Sequence, residues 1–228
     1  MPERIPLLLR LFGEVSVIVL GILLALAADR WNESRSEAEL EDAFVSRITA
    51  EIRNDSILVE SYLSQLPQVM SSRDSLIALV DGSPAPPDLR ATIVRSFIQL
   101  SLPAPVAWSE LQATTSLNVI ADPGLRASLV RYYSVDRANV VLNLERADRR
   151  GRDPFVDALY RIGWIQPTGV GDGVRPIEVA SLQEEPGMRG FLIGLGSAHG
   201  VQANFGRRLL DFSGDILAML GQHGPGSA

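Results

Sequence analysis

The chain has no cysteine and no lysine, and all 21 of its basic residues are arginine. Without cysteine there can be no disulfide, thiolate nucleophile or thiol-bound zinc or iron–sulfur centre. Without lysine there can be no Schiff-base chemistry and no P-loop, which requires a lysine. Two histidines are also too few for a multi-histidine metal site. We therefore predict no metal, no cofactor and no identifiable catalytic residue.

Acidic residues also outnumber basic ones, and the formal net charge is −6. Binding to nucleic acid phosphates requires a basic surface, so the composition indicates no nucleic acid partner. Glycines at 169, 171 and 173 fall in a Gly/Pro-rich loop. Because a dinucleotide fingerprint requires a strand before it and a helix beginning within it, these glycines do not predict a nucleotide site.

An apolar run near the N-terminus is the most informative feature that is present. Between residues 11 and 28 the only strongly polar side chain is Glu14. About 18 helical residues reach about 27 Å, close to the hydrocarbon thickness of a bilayer. Trp31 follows, and indole rings are frequent at the headgroup level. The pattern predicts a membrane anchor over residues 1–31, with the lipid bilayer as a partner.

A cleaved signal peptide is the alternative interpretation of the same run. Ala25, Leu26 and Ala27 resemble the small-residue end of such a peptide. Glu14 would interrupt its apolar region, and the sequence after Ala28 can prolong the same helix. Retention of the anchor is the favoured interpretation, and cleavage stays open.

One face of the predicted span is lined by small residues. Glu14, Gly21, Ala25 and Ala28 return to nearly the same direction on a helix, and small side chains allow two backbones to approach closely. Self-association through this face is one hypothesis. A monomeric span is the alternative, because small residues are common in all spans.

Helical spacing of apolar residues dominates the remainder of the chain. It predicts a long amphipathic helix from Asn32 that Pro67 breaks or bends, and later helices with Asp88 and the Asp122-Pro123 and Asp153-Pro154 pairs at their starts. Gly151 is expected to stop the helix that begins at Pro123. The last long helix is expected from about residue 185 to Gly221, and its glycines would allow a neighbouring helix to approach closely. The predicted fold is all-α: a transmembrane helix that continues into a long amphipathic helix, followed by an irregular helical bundle at 32–222 and a disordered tail at 223–228.

Two blocks of sequence resemble a known family. The first runs from Gly13-Glu14 through Gly21-Ile22-Leu23-Leu24 to Trp31-Asn32-Glu33, and the second from Trp108 to Tyr132-Tyr133. Both are similar to an uncharacterised bacterial family of small single-span membrane proteins with a helical extramembrane domain. The second block departs from the family at Thr114-Thr115-Ser116. The resemblance implies the bacterial inner membrane and supplies no catalytic residues.

The positive charges on the two sides of the span are nearly equal in number. The signal-like character of the run and the family resemblance therefore set the expected orientation. We expect a single-pass protein with its main domain on the non-cytoplasmic side.

Several polar residues have two interpretations. His199 is expected to be a hydrogen-bonded packing residue. The densest basic cluster, Arg146, Arg149, Arg150 and Arg152, is expected to mark a helix C-terminus with favourable dipole contacts, the alternative being a site for an anionic partner.

Three functions fit these patterns. The first is a membrane-tethered helical interaction or scaffold module, or the sensing part of a larger complex, with a protein partner or a second copy of the chain. The second is a small-ligand-binding helical domain with a pocket lined by Trp108, Tyr132 or Tyr133. The third, least favoured, is a hydrolase that uses Asp or Glu, which would require a pocket with inward-pointing carboxylates.

Overall fold

A computed structural model describes the backbone of residues 4–114, 117–165 and 178–222, and the side chains within these ranges except those of residues 4–18 and 114. Three predictions fall outside the described residues. They are the glycine-rich loop at 169–173, the disordered tail at 223–228 and the departure from the family pattern at residues 115 and 116.

The N-terminal helix α1 spans Arg4–Val80, a length of 77 residues. The prediction that Pro67 breaks or bends this segment is wrong as regards a break, because the helix continues through it. Proline in a helix interior costs about 3 kcal/mol through a lost hydrogen bond and a clash. Pro67 is exposed, whereas Tyr62 and Val69 on either side of it are buried. Packing on both sides outweighs the local cost.

The predicted membrane span lies only partly within the described side chains. Among the described residues, no helical segment combines the length and the apolar character that crossing a bilayer requires. The side chains of residues 11–18, which form the first part of the predicted span, lie outside that set. The described part of the chain therefore does not support the span.

Three helices and one 3-10 turn connect α1 to the rest of the bundle. They are α2 (Leu89–Ser96), α3 (Val106–Thr114), the 3-10 turn Leu117–Val119, and α4 (Pro123–Arg131). The predicted starts of α2 and α4 are confirmed, since Asp88 accepts a hydrogen bond from the Ala91 backbone N–H and Asp122 from that of Gly124. These caps fix the directions in which α2 and α4 leave their loops.

The helix that begins at Pro123 does not stop at Gly151, which corrects the prediction. It runs on through a π-helical segment, Tyr132–Arg137, then α5 (Ala138–Ala147), a second π-helical segment, Asp148–Arg152, and α6 (Asp153–Arg161). In the second segment the Asp153 N–H bonds to the Asp148 carbonyl, five residues back. Pro154, which has no N–H, follows directly, so the wider turn and the proline replace the expected break.

The C-terminal part of the fold contains a short helix, α7 (Val179–Glu184), and the long helix α8 (Met188–Gln222). The sequence analysis missed α7, whereas the limits of α8 agree with the prediction. Helix α8 is antiparallel to α1, since Gly206 lies beside Val59 and His199 beside Tyr62. Within the described ranges every regular element is helical, which confirms the all-α class.

Two apolar cores lie along the α1–α8 pair. One surrounds residues 44–66 of α1 and the second half of α8, with α3, α4 and α5 around it. The other lies at the opposite end, around Leu76 and Leu79 of α1 with α2, α6, α7 and the start of α8. Buried polar side chains occupy the interior of the first core and the layer between the two.

Candidate functional site

The predicted self-association face of α1 has no packing partner within the chain. Gly21, Ala25, Ala28 and Trp31 are all exposed, and a Cβ atom added at Gly21 would meet no atom within 4 Å. The side chain of Glu14 lies outside the described residues. The face is therefore available to lipid or to another chain.

The three aromatic residues predicted to line a pocket instead pack against one another. The Trp108 and Tyr133 rings stack at 4.7 Å, and the Tyr132 ring meets that of Tyr133 edge-on at 5.0 Å. All three side chains are buried. Their ring faces contribute to the first core.

The first buried polar group, which we term the Asp55 cluster, consists of Glu51, Asp55, Tyr133 and Arg137. The Arg137 guanidinium donates from Nε to the Asp55 carboxylate at 2.6 Å and also to the Pro103 carbonyl. The Tyr133 hydroxyl donates to Glu51 at 2.6 Å, and Glu51 also accepts from the Ala107 N–H at 2.8 Å. The cluster therefore links α1, the start of α3 and the first π-helical segment.

Burial controls the ionisation of this cluster. It raises the pKa of the Asp55 carboxyl, and the Arg137 guanidinium opposes that shift. It also raises the pKa of Tyr133, with a further contribution from the hydrogen bond to the Glu51 carboxylate. The pKa of Tyr132, whose hydroxyl lies 3.1 Å from that of Ser213, is raised to about 12. Both tyrosines are neutral hydrogen-bonding groups at physiological pH.

The second buried polar group, the His199 cluster, joins the two cores. The Tyr62 hydroxyl lies 3.2 Å from His199 Nδ1, and His199 Nε2 lies 3.0 Å from the Ser96 carbonyl oxygen. Gln202 donates to the Asp148 carboxylate at 2.7 Å and accepts from the Leu100 N–H at 3.2 Å. This confirms His199 as a hydrogen-bonded packing residue.

Burial again sets the charge states in the His199 cluster. It lowers the pKa of His199 and raises that of Tyr62. It also raises the pKa of Asp148. A lowered histidine pKa keeps the imidazole neutral at pH 7, so Nε2–H can donate to the Ser96 carbonyl while Nδ1 accepts from the Tyr62 hydroxyl.

A surface groove runs between α8 and the segment formed by α5 and the second π-helical turn, with a volume of about 440 Å³. Its floor is backbone and small side chains, because a Cβ atom at Gly151 would lie 2.4 Å from the Gly194 carbonyl oxygen. Arg146 and Arg150 line one wall, and Val201 and Phe205 lie at one end. The groove is thus apolar at its base and positively charged at its edge.

The two buried clusters do not form a metal centre, because no group of three or more His, Cys, Asp or Glu side chains among the described residues is placed to hold one. The carboxylates of Asp55 and Asp148 and the imidazole of His199 all bond to groups of the protein itself. Such networks join helices. The groove, in contrast, opens to solvent and has charged groups along its edge.

No family model matches the chain, and neither the curated proteins nor the solved structures include a match. The family resemblance described above therefore stays a prediction.

The sequence analysis missed the Asp55 cluster, although the sequence contains a sign of it. Asp55 follows Ile48 and Ile52 and precedes Val59 and Tyr62 on the apolar face of α1. A carboxylate in a core-facing position usually has a charged partner. Identifying Arg137 as that partner required the structure, because 82 residues separate the two.

Proposed function

We propose that the protein is a membrane-tethered helical interaction module, in which α1 carries both the anchor and the main axis of the domain. The domain would present its surface to a protein partner or to a second copy of the chain. The proposed location is the bacterial inner membrane, crossed once, with the domain on the non-cytoplasmic side.

The supporting observation is a change in exposure along α1. Every described side chain from 19 to 40 is exposed, and burial of one face begins near Phe44. Six large apolar residues between 19 and 26 are more than two-fifths exposed: Val19, Leu20, Ile22, Leu23, Leu24 and Leu26. They cover about 200° of the helix circumference, and the small apolar residues Gly21, Ala25 and Ala28 occupy the remaining face. A helix that is apolar all round requires burial in lipid or in protein.

Membrane attachment is tested by carbonate extraction of membranes that contain the full-length chain, followed by intact mass measurement. The expected result is a membrane-bound protein of unprocessed mass, because hydrocarbon burial of the span is not reversed by high pH. A soluble mature protein that lacks residues 1–27 would contradict the tether and favour the signal peptide.

Orientation can be read with single cysteines, because the native chain has none. Ser36→Cys, on the domain side of the span, should react with a membrane-impermeant maleimide in intact cells. Pro2→Cys, on the other side, should react only after permeabilisation. The reverse pattern would place the domain in the cytoplasm.

The self-association hypothesis is tested by crosslinking full-length chains in membranes. Gly21→Ile should lower the dimer signal if the small-residue face is the contact, because a large side chain separates the backbones. Ala27→Ile is the matched control, since residue 27 lies about 120° away from residue 21 around the helix. An equal effect of both variants, or none, would exclude this face and leave the anchor as a simple tether.

A further inference from the structure

Four arginines close in sequence have different environments in the fold. Arg149 pairs with Glu145 at 3.7 Å, and Arg152 donates to Gln99 at 2.7 Å and lies 3.4 Å from Asp153. Arg146 and Arg150 line the groove, and within the described part of the chain neither makes an ion pair or a side-chain hydrogen bond. Among the described residues, the cluster therefore divides into two partnered and two unpartnered arginines.

The fold also removes the simplest explanation for the unpartnered pair. Positive side chains are favourable at a helix C-terminus, which was the expected role of this cluster. The helix does not end there, because the second π-helical segment continues directly into α6. Two like charges one turn apart on a continuous helix repel each other by about 0.2–0.5 kcal/mol. An anion bound between them would add an attraction to each arginine that outweighs this repulsion.

The shape of the groove suits a small molecule. Its volume of about 440 Å³ falls within the range of about 300 to 1,000 Å³ that is typical of ligand pockets. Gly151, Gly194, Ala147 and Ala198 provide an apolar floor. Ser197 also lines the groove, and its hydroxyl donates to the Ile193 carbonyl oxygen. The guanidinium groups of Arg146 and Arg150 are suited to the paired oxygens of a carboxylate or a phosphate.

We propose that this groove binds a small soluble molecule that carries a carboxylate or phosphate next to an apolar body. Arg146 and Arg150 bind the anionic group, and the floor between α5 and α8 accepts the apolar part. This site is additional to the interaction module proposed above and does not depend on the identity of a protein partner.

The headgroups of the proposed anchoring membrane are too distant to be the ligand. The groove lies beside the part of α8 that packs near Tyr62, and about 30 helical residues separate Tyr62 from Trp31. At about 1.5 Å per residue this distance is about 45 Å along α1. The ligand must therefore come from solution.

The experiment measures binding to the full-length chain in nanodiscs by titration calorimetry. The probes are phenyl phosphate, benzoate, inorganic phosphate and the neutral benzyl alcohol. We expect saturable binding of phenyl phosphate or benzoate with a dissociation constant below about 10 mM, and at least about tenfold weaker binding of benzyl alcohol. Inorganic phosphate should bind more weakly than phenyl phosphate because it lacks the apolar part.

Variants assign the binding to the groove. Arg146→Gln and Arg150→Gln should each weaken binding of the better probe at least about tenfold, because each removes a charge-assisted hydrogen bond. Arg149→Gln is the matched control, one residue away but paired with Glu145, and should change binding less than twofold. Ser197→Leu, an exposed substitution that fills the groove without changing charge, should also abolish binding.

Three results would overturn the proposal. They are no saturable binding of either anionic probe, equal binding of benzyl alcohol, and equal loss in Arg149→Gln and in the groove variants. The membrane assays above are independent of these titrations, so failure of one proposal does not imply failure of the other.

Discussion

The Asp55 cluster and the His199 cluster are both buried and both depend on a π-helical segment, but they differ in charge. In the first, an ion pair between Asp55 and Arg137 is enclosed within one apolar core. In the second, a neutral imidazole, a phenol and a carboxamide join two cores, with the Asp148 carboxylate at the edge. Removing one member of the Asp55 cluster is therefore expected to lower the free energy of unfolding strongly. Removing one member of the His199 cluster is expected to lower it only moderately.

A wider helical turn adjoins an inward-facing polar group in each cluster. A π-helical turn inserts an extra residue into an α-helix and so rotates the residues that follow. Arg137 ends the first such segment and Asp148 begins the second. One continuous helical track from Pro123 to Arg161 thus presents polar groups at two levels of the bundle.

Removal of one charge tests the comparison most strongly. We expect Asp55→Ala to lower the free energy of unfolding by about 3–5 kcal/mol, because it leaves the Arg137 guanidinium buried without its counter-charge. Denaturant unfolding of the full-length chain in detergent would measure the loss. The double variant Asp55→Leu, Arg137→Met should recover most of it.

The control for this variant is Glu39→Ala, which breaks the exposed pair between Arg35 and Glu39 and should cost less than about 1 kcal/mol. If Asp55→Ala were as mild as this control, the ion pair would not support the first core.

Removal of single hydroxyls compares the clusters directly. Tyr133→Phe should cost about 1.5–3 kcal/mol, since its hydroxyl donates to a carboxylate, whereas Tyr62→Phe should cost about 1 kcal/mol, since its partner is neutral. Both substitutions keep the ring, so the difference reports the hydrogen bond. The reverse order in denaturant unfolding would show that the neutral cluster carries more stability.

Two glycines that face each other test the second π-helical segment. Gly151→Ala should cost about 1–3 kcal/mol, because its Cβ would lie 2.4 Å from the Gly194 carbonyl oxygen and force the helices apart. At Gly194 the nearest atoms to a Cβ are 3.7 Å away, an ordinary contact, so Gly194→Ala should be neutral or stabilising. Melting temperatures of the two variants that shift equally would contradict this close approach.

The weakest expected effect is the contribution of His199 to the pH dependence of stability. Burial lowers the His199 pKa in the folded state, so the unfolded chain binds more protons below pH about 6.5. The contribution of His199 to the free energy of unfolding is therefore complete above that pH. It decreases as the pH falls, by at most about 1.4 kcal/mol per pH unit. Unfolding measured from pH 7.5 to 5 should show a shallower slope in His199→Gln than in the wild type. Parallel slopes in the wild type and His199→Gln would contradict a neutral buried imidazole.

The sequence predicted the elements whose ends have local markers. The caps at Asp88 and Asp122 and the limits of α8 follow from side chains within a few residues of each end. The predictions that Pro67 would break its helix and that Gly151 would end its helix were wrong. The local preference of these residues to end a helix is outweighed by packing along α1 and α8. The expected close approach along α8 occurs at Gly206, where a Cβ would lie 3.0 Å from Val59, and at Gly194, whose carbonyl oxygen lies against Gly151. It does not occur at Gly190, Gly200 or Gly214.

The candidate site was less predictable than the fold. The basic cluster is evident in the sequence as a run of arginines. Which of these arginines face the groove depends on how the π-helical turn rotates them around the helix axis. The partner of Asp55 and the stacking of Trp108 on Tyr133 join segments that are far apart in sequence. No local pattern encodes such pairs.

Because α1 is unbroken, it fixes the direction in which the bundle faces relative to the N-terminal part of the same helix. An uninterrupted helix of 77 residues is about 115 Å long, and each residue is rotated by about 100° about the helix axis from the residue before it. The azimuth of the α5–α8 groove is therefore set relative to the face formed by Gly21, Ala25 and Ala28. Inserting one residue near Ser36 would swing the groove by about 100° about that axis, whereas inserting seven would nearly restore its direction and move it about 10 Å along the axis.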